Sequence, residues 1–268
     1  MLLEQGFLAK RSRFSAIVDY LMGAMAAASS LCVLLALWQL AAEYLGALVL
    51  PEPKVVFYRM AEILATNSGW ETLGITIFSG LLGVIIACIV GISSGFIAGW
   101  SRTVAVFFRP WITVLLGTPP IIWVILALFW FSQGVPVTLF TVSIAVTPML
   151  FAAAMMSLIT RPKSLLEMAK VYQLPWLTRI HHIWLPHLSQ SLMPAIIVAT
   201  GTGLKLTVMA ELLGGSQGIG AKIADARTFL DTVEVLAYVC LIISIIMFIE
   251  YGVLEPIKRF ILPDMDAR

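Results

Sequence analysis

Long runs without a single charge decide what this chain can become. Tyr20–Ala42, Thr72–Ser101, Pro110–Thr160, Leu188–Leu204 and Val235–Ile249 contain no Asp, Glu, Lys or Arg. A helix needs about 20 predominantly apolar residues to cross roughly 30 Å of hydrocarbon, and inside lipid only helices and closed barrels satisfy their own backbone. Residues are 60% hydrophobic and 12% charged, against about 25% charged in soluble domains. The chain therefore reads as an all-α polytopic membrane protein. The Pro110–Thr160 run is too long for one span, and Gln133-Gly134-Val135-Pro136 divides it; the fourth run must extend past Lys205 to about Leu213. Six transmembrane helices are expected, at about 20–42, 74–99, 110–131, 137–159, 189–213 and 234–256.

Lysine and arginine set the orientation. With the N-terminus inside, one side collects Lys10, Arg11, Arg13, Arg102, Arg109, Arg161, Lys163, Lys170, Arg179, Lys258, Arg259 and Arg268, while the other keeps Lys54, Arg59, Lys222 and Arg227. Such a bias places both termini and the 160–188 loop in the cytoplasm. The net charge of +2 is thus topological and gives no reason to expect nucleic acid. Residues 4–19 are polar and basic, and the first apolar run is a full span with no small-x-small site after it, so no cleaved signal peptide is expected. Cys32, Cys88 and Cys240 all fall within expected spans, with neither disulfide nor metal spacing. No repeat or low-complexity tract divides residues 1–268, so one transmembrane domain is expected: a tail over 1–19, the six spans, a cytoplasmic loop over 160–188 and an outer loop over 214–233.

Several local patterns carry further expectations. Val56, Met60, Ile63 and Leu64 recur at helical spacing after Pro51-Glu52-Pro53, as in a short interfacial helix. Gly91, Gly95 and Gly99 form a small-residue face for close helix packing. Gly91-Ile92-Ser93-Ser94-Gly95 matches G-x-S-x-G formally, but a nucleophile elbow needs a strand-to-helix turn and this stretch is continuous apolar helix. Pro119, Pro120 and Pro148 should kink their helices, either as packing bends or to shape a translocation path. Gly215, Gly218 and Gly220 sit in a glycine-rich outer segment, where a mobile gate or an external protein contact competes with a plain turn. Its lysine is misplaced for a phosphate loop. His181, His182 and His187 have no companion ligand set, so no metal site is expected.

The 160–188 segment is charged and amphipathic inside an otherwise apolar chain. Ser164-Leu165-Leu166-Glu167 has capping-box form, with the serine as cap and Glu167 reaching back. About two turns of helix should follow, to near Tyr172. Gln173-Leu174-Pro175 then makes a corner, and Pro175 starts a second helix running to about Trp184. Two short helices carry more apolar surface than they can bury themselves, and short helices need tertiary contacts to persist. A partner's groove supplies them.

Glu167-Met168-Ala169, Gln173 and Ile183-Trp184-Leu185-Pro186 follow the spacing E-A-A-x3-G-x9-I-x-L-P. In this the chain resembles the permease subunits of ATP-binding-cassette importers, and over residues 35–262 their nitrate/sulfonate/taurine-type branch. Leu50-Pro51, Pro119-Pro120 with Trp123 and Phe129-Trp130-Phe131, Ala210-Glu211-Leu212, Ser216 to Gly220 and Asp225-Ala226-Arg227 also match. Gln173 replaces the family's glycine and Met168 its first alanine. The resemblance implies that Ser164, Glu167, Met168, Ala169, Gln173, Ile183, Leu185 and Pro186 form a coupling surface in the groove of a separate ATPase. It implies a second permease copy, as a homodimer, and an external solute-binding protein, all at a bacterial inner membrane. ATP and Mg would bind the partner ATPase, with no cofactor on this chain, and no Walker A lysine motif is present.

Lys205 lies about 16 residues into the fifth span, where a charge costs about 2.5–3.5 kcal/mol. Glu211 lies six residues further on, about 9 Å along the axis and 120° around it. An ion pair or snorkelling competes with a role for Lys205 and Glu211 in the path of an anionic substrate. The family usually has an apolar residue near Lys205 and an acidic one at Glu211. The function expected is uptake of a small solute, such as nitrate, a sulfonate or taurine, by alternating access. A secondary transporter would show more spans, inverted repeats and more buried carboxylates. An intramembrane enzyme would need paired catalytic groups in the spans, and none is present.

Overall fold

A computed structural model of the protein describes residues 13–257. Lys10, Arg11, Lys258, Arg259 and Arg268, and the tail up to residue 12, lie outside the described residues. Within them the chain forms α1 (Arg13–Leu45), α2 (Pro53–Ala65), α3 (Asn67–Trp100), α4 (Arg102–Gly117), α5 (Pro120–Phe131), α6 (Val135–Ile159), α7 (Lys163–Val171), α8 (Trp176–Arg179), α9 (Leu185–Gly214), α10 (Ile219–Thr228) and α11 (Thr232–Met247). Two π-helical turns, Ile180–Trp184 and Phe248–Leu254, complete the set.

Among the described residues, five helical segments are long and apolar enough to cross a membrane: 28–45 within α1, α3, α6, Trp176–Gly214, and Thr232–Ile257. The third expected span, over 110–131, is bent as its prolines imply: α4 and α5 meet at 93°, and the pair makes a sixth crossing if it counts as one span. Prolines 119 and 120 remove two successive backbone donors, and a residue before proline is pushed out of the helical region. Thr118 and Pro119 are accordingly extended, at ψ 122° and 135°. α6, by contrast, runs through Pro148 without a break.

The chain divides into two compact units at Arg59/Met60, inside α2. In the first, α1 reaches a turn in which Gly46 adopts φ +82°. The Trp38 indole donates to the Pro51 carbonyl at 3.1 Å, and its ring lies 6.3 Å from that of Phe57.

The second unit is built on α3, α6 and α9. Val84 and Ala87 of α3, Val142, Val146 and Leu150 of α6, and Ala199 and Leu206 of α9 form its buried core. The α3–α6 pair is the most extensive contact in the molecule, and glycine makes it possible. A Cβ on Gly95 would lie 2.8 Å from Ala154 Cβ, and one on Gly99 2.8 Å from Leu158 Cβ. The Gly91/Gly95/Gly99 face is thus a packing seam. Ser93, in the G-x-S-x-G match, points its hydroxyl to the Ile89 carbonyl within α3. A smaller cluster, Val124, Ala127, Val137 and Ala210, ties α5 to α6 and α9.

Both π-helical turns end two residues before a proline, at Pro186 and Pro256. A proline's ring clashes with the carbonyl four residues back. Widening the turn relieves that clash: the Leu185 amide bonds the Ile180 carbonyl, and the Glu255 amide the Glu250 carbonyl, each five residues back.

Candidate functional site

Three places carry the residues singled out from the sequence. The first is the α7–α8 corner. Ser164 is not the cap of α7: Pro162 occupies that position and no side chain caps the helix. Pro162 has an extended backbone, so the helix begins two residues earlier than the serine pattern implied, and Ser164 falls inside the first turn. At the other end the sequence closes α7 by a Schellman motif. The Leu174 amide donates to the Ala169 carbonyl at 3.0 Å and the Gln173 amide to the Lys170 carbonyl at 3.1 Å. This motif requires a left-handed residue after the cap, and Gln173 adopts φ +51°. The glutamine therefore holds the conformation that glycine favours at this turn, at a strain of about 1–2 kcal/mol.

Beyond the corner, Pro175 caps α8, and the Arg179 guanidinium donates to the Leu174 carbonyl at 2.8 Å. The second short helix does not stop at Trp184. It passes through the π-helical turn directly into α9, so residues 176–214 are continuous. Ala169 and Ile183 are buried, and a His187 ring nitrogen lies 2.8 Å from the Ser157 carbonyl at the end of α6. Leu165, Met168, Tyr172, Trp176 and Leu177 remain exposed. The corner thus buries Ala169 and Ile183 while its large apolar side chains stay exposed. His181 and His182 stack edge-on at 5.1 Å, and His182 Nδ1 lies 3.2 Å from the Thr178 carbonyl.

The second place is the far end of α9. The segment over 214–233 between α9 and α11 holds a helix: residues 219–228 are α10, whose Ile219, Gly220, Ala221, Ile223 and Ala226 are buried. Glu211, 3% exposed, organises this end. Its carboxylate accepts from Thr76 Oγ1 at 2.8 Å, Ser79 Oγ at 3.4 Å and the Gly220 amide at 3.1 Å. The Ile219 amide donates in turn to Thr76 Oγ1 at 2.8 Å. The first amides of a helix lack intrahelical partners and favour a negative charge. Glu211 and Thr76 supply both. One carboxylate thereby joins α9, α3 and α10.

The three outer glycines pack against Glu211, Gly218 against its carboxylate, Gly220 against its Cβ and Gly215 against its backbone. Gly218 adopts φ +96°, and a Cβ there would run into the Glu211 carboxylate. A Cβ on Gly220 would collide with the Val208 carbonyl, and one on Gly215 would lie 2.6 Å from the Glu211 carbonyl. Their spacing follows from a tight junction around Glu211.

The third place is a cavity of ≈ 490 Å³ between α9 and α11, with Lys205 and Glu250 in its wall. Glu211 is not among its lining residues, so Lys205 and Glu211 belong to different sites. Pro119 and Pro120 lie exposed at the α4–α5 bend, apart from both. Thr76, Ser79 and Gly201 were not legible as site residues, because nothing local marks a threonine or serine as the partner of a carboxylate over 130 residues away.

Residues 83–256 match the family described as the binding-protein-dependent transport system inner membrane component. The chain belongs to this family. It is 26% identical over 245 residues to the taurine transport system permease protein TauC of Escherichia coli, covering 87% of each chain. It is 25% identical over 207 residues to the putative aliphatic sulfonates transport permease protein SsuC of Bacillus subtilis, covering 76% of this chain and 75% of that one. Its fold is similar to that of a chain of the MetNI methionine ABC transporter, at TM-score 0.56 and 19% identity, over 76% of this chain and 98% of that one. The permease is thus a multi-pass membrane subunit of an importer. It is a transport component and not an enzyme, and it works with a separate ATPase and a solute-binding protein.

Proposed function

We propose that this permease imports a small sulfonate or a related organic anion or zwitterion across a bacterial inner membrane. The single observation that carries the mechanism is the exposed apolar face of α7 and α8 on a corner that buries only Ala169 and Ile183 among its apolar side chains. A surface of this kind fits the groove of an ATPase. Ser164, Glu167, Met168, Gln173, Leu185 and Pro186 frame it, and the unbroken 176–214 segment carries its displacement along α9 to Glu211.

In this reading the termini and the α7–α8 corner are cytoplasmic, consistent with the lysine and arginine bias. Two copies of the permease flank a central path and two ATPase subunits bind the corners, holding ATP and Mg. ATP binding closes the inner gate and opens the outer one, and hydrolysis resets it. The Glu211 junction, with Gly215, Gly218 and Gly220, forms the outer gate, and the Pro119-Pro120 bend flanks the path. The solute class follows the named relatives, one for taurine and others for aliphatic sulfonates.

The test is uptake by proteoliposomes holding the permease, its ATPase and its solute-binding protein. Accumulation of taurine or an alkanesulfonate that requires internal ATP and the binding protein supports the reading. Accumulation driven by an ion gradient with no ATPase present would instead establish the secondary transporter.

A further inference from the structure

Lys205 of α9 and Glu250 of the π-helical turn after α11 place opposite charges in the lining of an otherwise apolar cavity. Val208, Ile243, Met247 and Tyr251 supply much of the remaining lining. The geometry is specific. A Cβ on Gly201 would sit 3.4 Å from Glu250 Oε2, so the carboxylate lies against a position on α9 that has no side chain. Lys205 stands one helical turn further along the same face, about 6 Å on, and helical side chains lean back toward the N-terminus, here toward Gly201. Glu250 itself sits in the π-helical turn before Pro256. Such turns re-aim side chains and recur at functional sites.

Ionisable groups inside a span are expensive and by default mark a binding or conduction site. A cavity of ≈ 490 Å³ is within the usual range for small-molecule sites, about 300–1,000 Å³. The pair of signs narrows the ligand. A simple anion attracted by Lys205 would be repelled by Glu250, and a simple cation the reverse. A molecule carrying one of each satisfies both, and its entry leaves the net charge of the site unchanged.

We propose that this cavity is a binding site for a small zwitterion, an aminosulfonate or amino acid, with its anionic end on Lys205 and its ammonium on Glu250. The proposal deepens the importer reading and rests on it, adding a solute site in the permease itself. Glu250 is the specificity-determining residue, since it separates a zwitterion from an anion of the same skeleton.

The experiment uses the full-length permease in lipid nanodiscs and four small probes, each with a two-carbon chain attached to its charged group or groups. Taurine and β-alanine are zwitterions, ethanesulfonate is an anion and ethylamine a cation. Saturable binding of taurine or β-alanine at least about tenfold tighter than of ethanesulfonate or ethylamine is expected. Glu250→Gln should weaken the zwitterion about tenfold while leaving ethanesulfonate unweakened. Lys205→Gln should weaken both the zwitterion and ethanesulfonate. The exchanged pair, Lys205→Glu with Glu250→Lys, should recover zwitterion binding in a monodisperse protein. Absence of saturable zwitterion binding to the wild type, or binding that neither single substitution moves, overturns the proposal. ATP-driven uptake persisting in that case would leave the importer reading standing, whereas a permease that recruits no ATPase would overturn the importer reading itself.

Discussion

The Glu211 carboxylate occupies the space that any side chain on Gly218 would need. Gly218 is also left-handed, so the two requirements coincide at one residue. Gly218→Ala should therefore cost more than the roughly 1–2 kcal/mol of left-handed strain, because the carboxylate must move as well. Thermal unfolding of the detergent-purified permease should show a clear fall. A proteolysis time course should show earlier cleavage between 214 and 230. Gly117→Ala makes a control, since a Cβ there meets nothing within 4 Å.

Replacing the acid by its amide tests the junction differently. Glu211→Gln keeps the shape but presents an NH₂ group where Thr76, Ser79 and the Gly220 amide are already donors. A buried donor left without an acceptor costs about 1–3 kcal/mol. Thr76→Val should cost a similar amount by removing both the bond to Glu211 and the acceptor for the Ile219 amide. The double variant should cost less than the sum of the two singles, since they act on one network. Strict additivity in thermal unfolding would show that the two residues do not share it.

Gln173 predicts a gain. Since this position is at φ +51°, Gln173→Gly should relieve about 1 kcal/mol of strain without altering the Schellman bonds. Gln173→Val should cost more than that, because a branched side chain is poorly tolerated there. Circular dichroism and thermal shift of the purified permease read both. Loss of stability in the glycine variant would contradict the turn described.

The α3–α6 seam predicts a failure of packing. Gly95→Leu places four carbons where the Phe151 backbone and Ala154 already lie. The folded yield in membranes, followed by fluorescence-detected size exclusion, should collapse, while Gly74→Leu, facing open space, should not.

Much of this arrangement was legible in the sequence. The charge-free runs locate the membrane-crossing segments, because a charge in hydrocarbon is expensive at any position. The glycine spacing in α3 announces its seam, since only a small residue permits that approach. The α7–α8 corner is visible for the same kind of reason, as apolar residues at helical spacing without a core of their own. What was not legible depends on competition or on distance. Pro119 and Pro120 signal a bend, but only the structure shows that two successive missing donors break the span outright. The Ser164 pattern fits a cap, yet Pro162 and its extended backbone take that position. The glycine-rich 214–233 stretch looks like a loop because α10 is short and polar. It persists as a helix through the carboxylate at its N-terminus and the burial of one face. The pairing of Glu211 with Thr76, and of Glu250 with Gly201, needs the tertiary fold.

The most direct test is whether the apolar face of α7 and α8 holds the ATPase. Affinity-tagged permease should be purified from membranes containing its ATPase, and the bound ATPase quantified for wild type and for Leu165→Asp combined with Tyr172→Asp. Both side chains are exposed, so the folded permease should survive the change. The account predicts stoichiometric ATPase on the wild type and at least a tenfold loss on the variant, or more than about 1.4 kcal/mol of docking energy. Full ATPase retention by a variant that elutes as folded protein would contradict it.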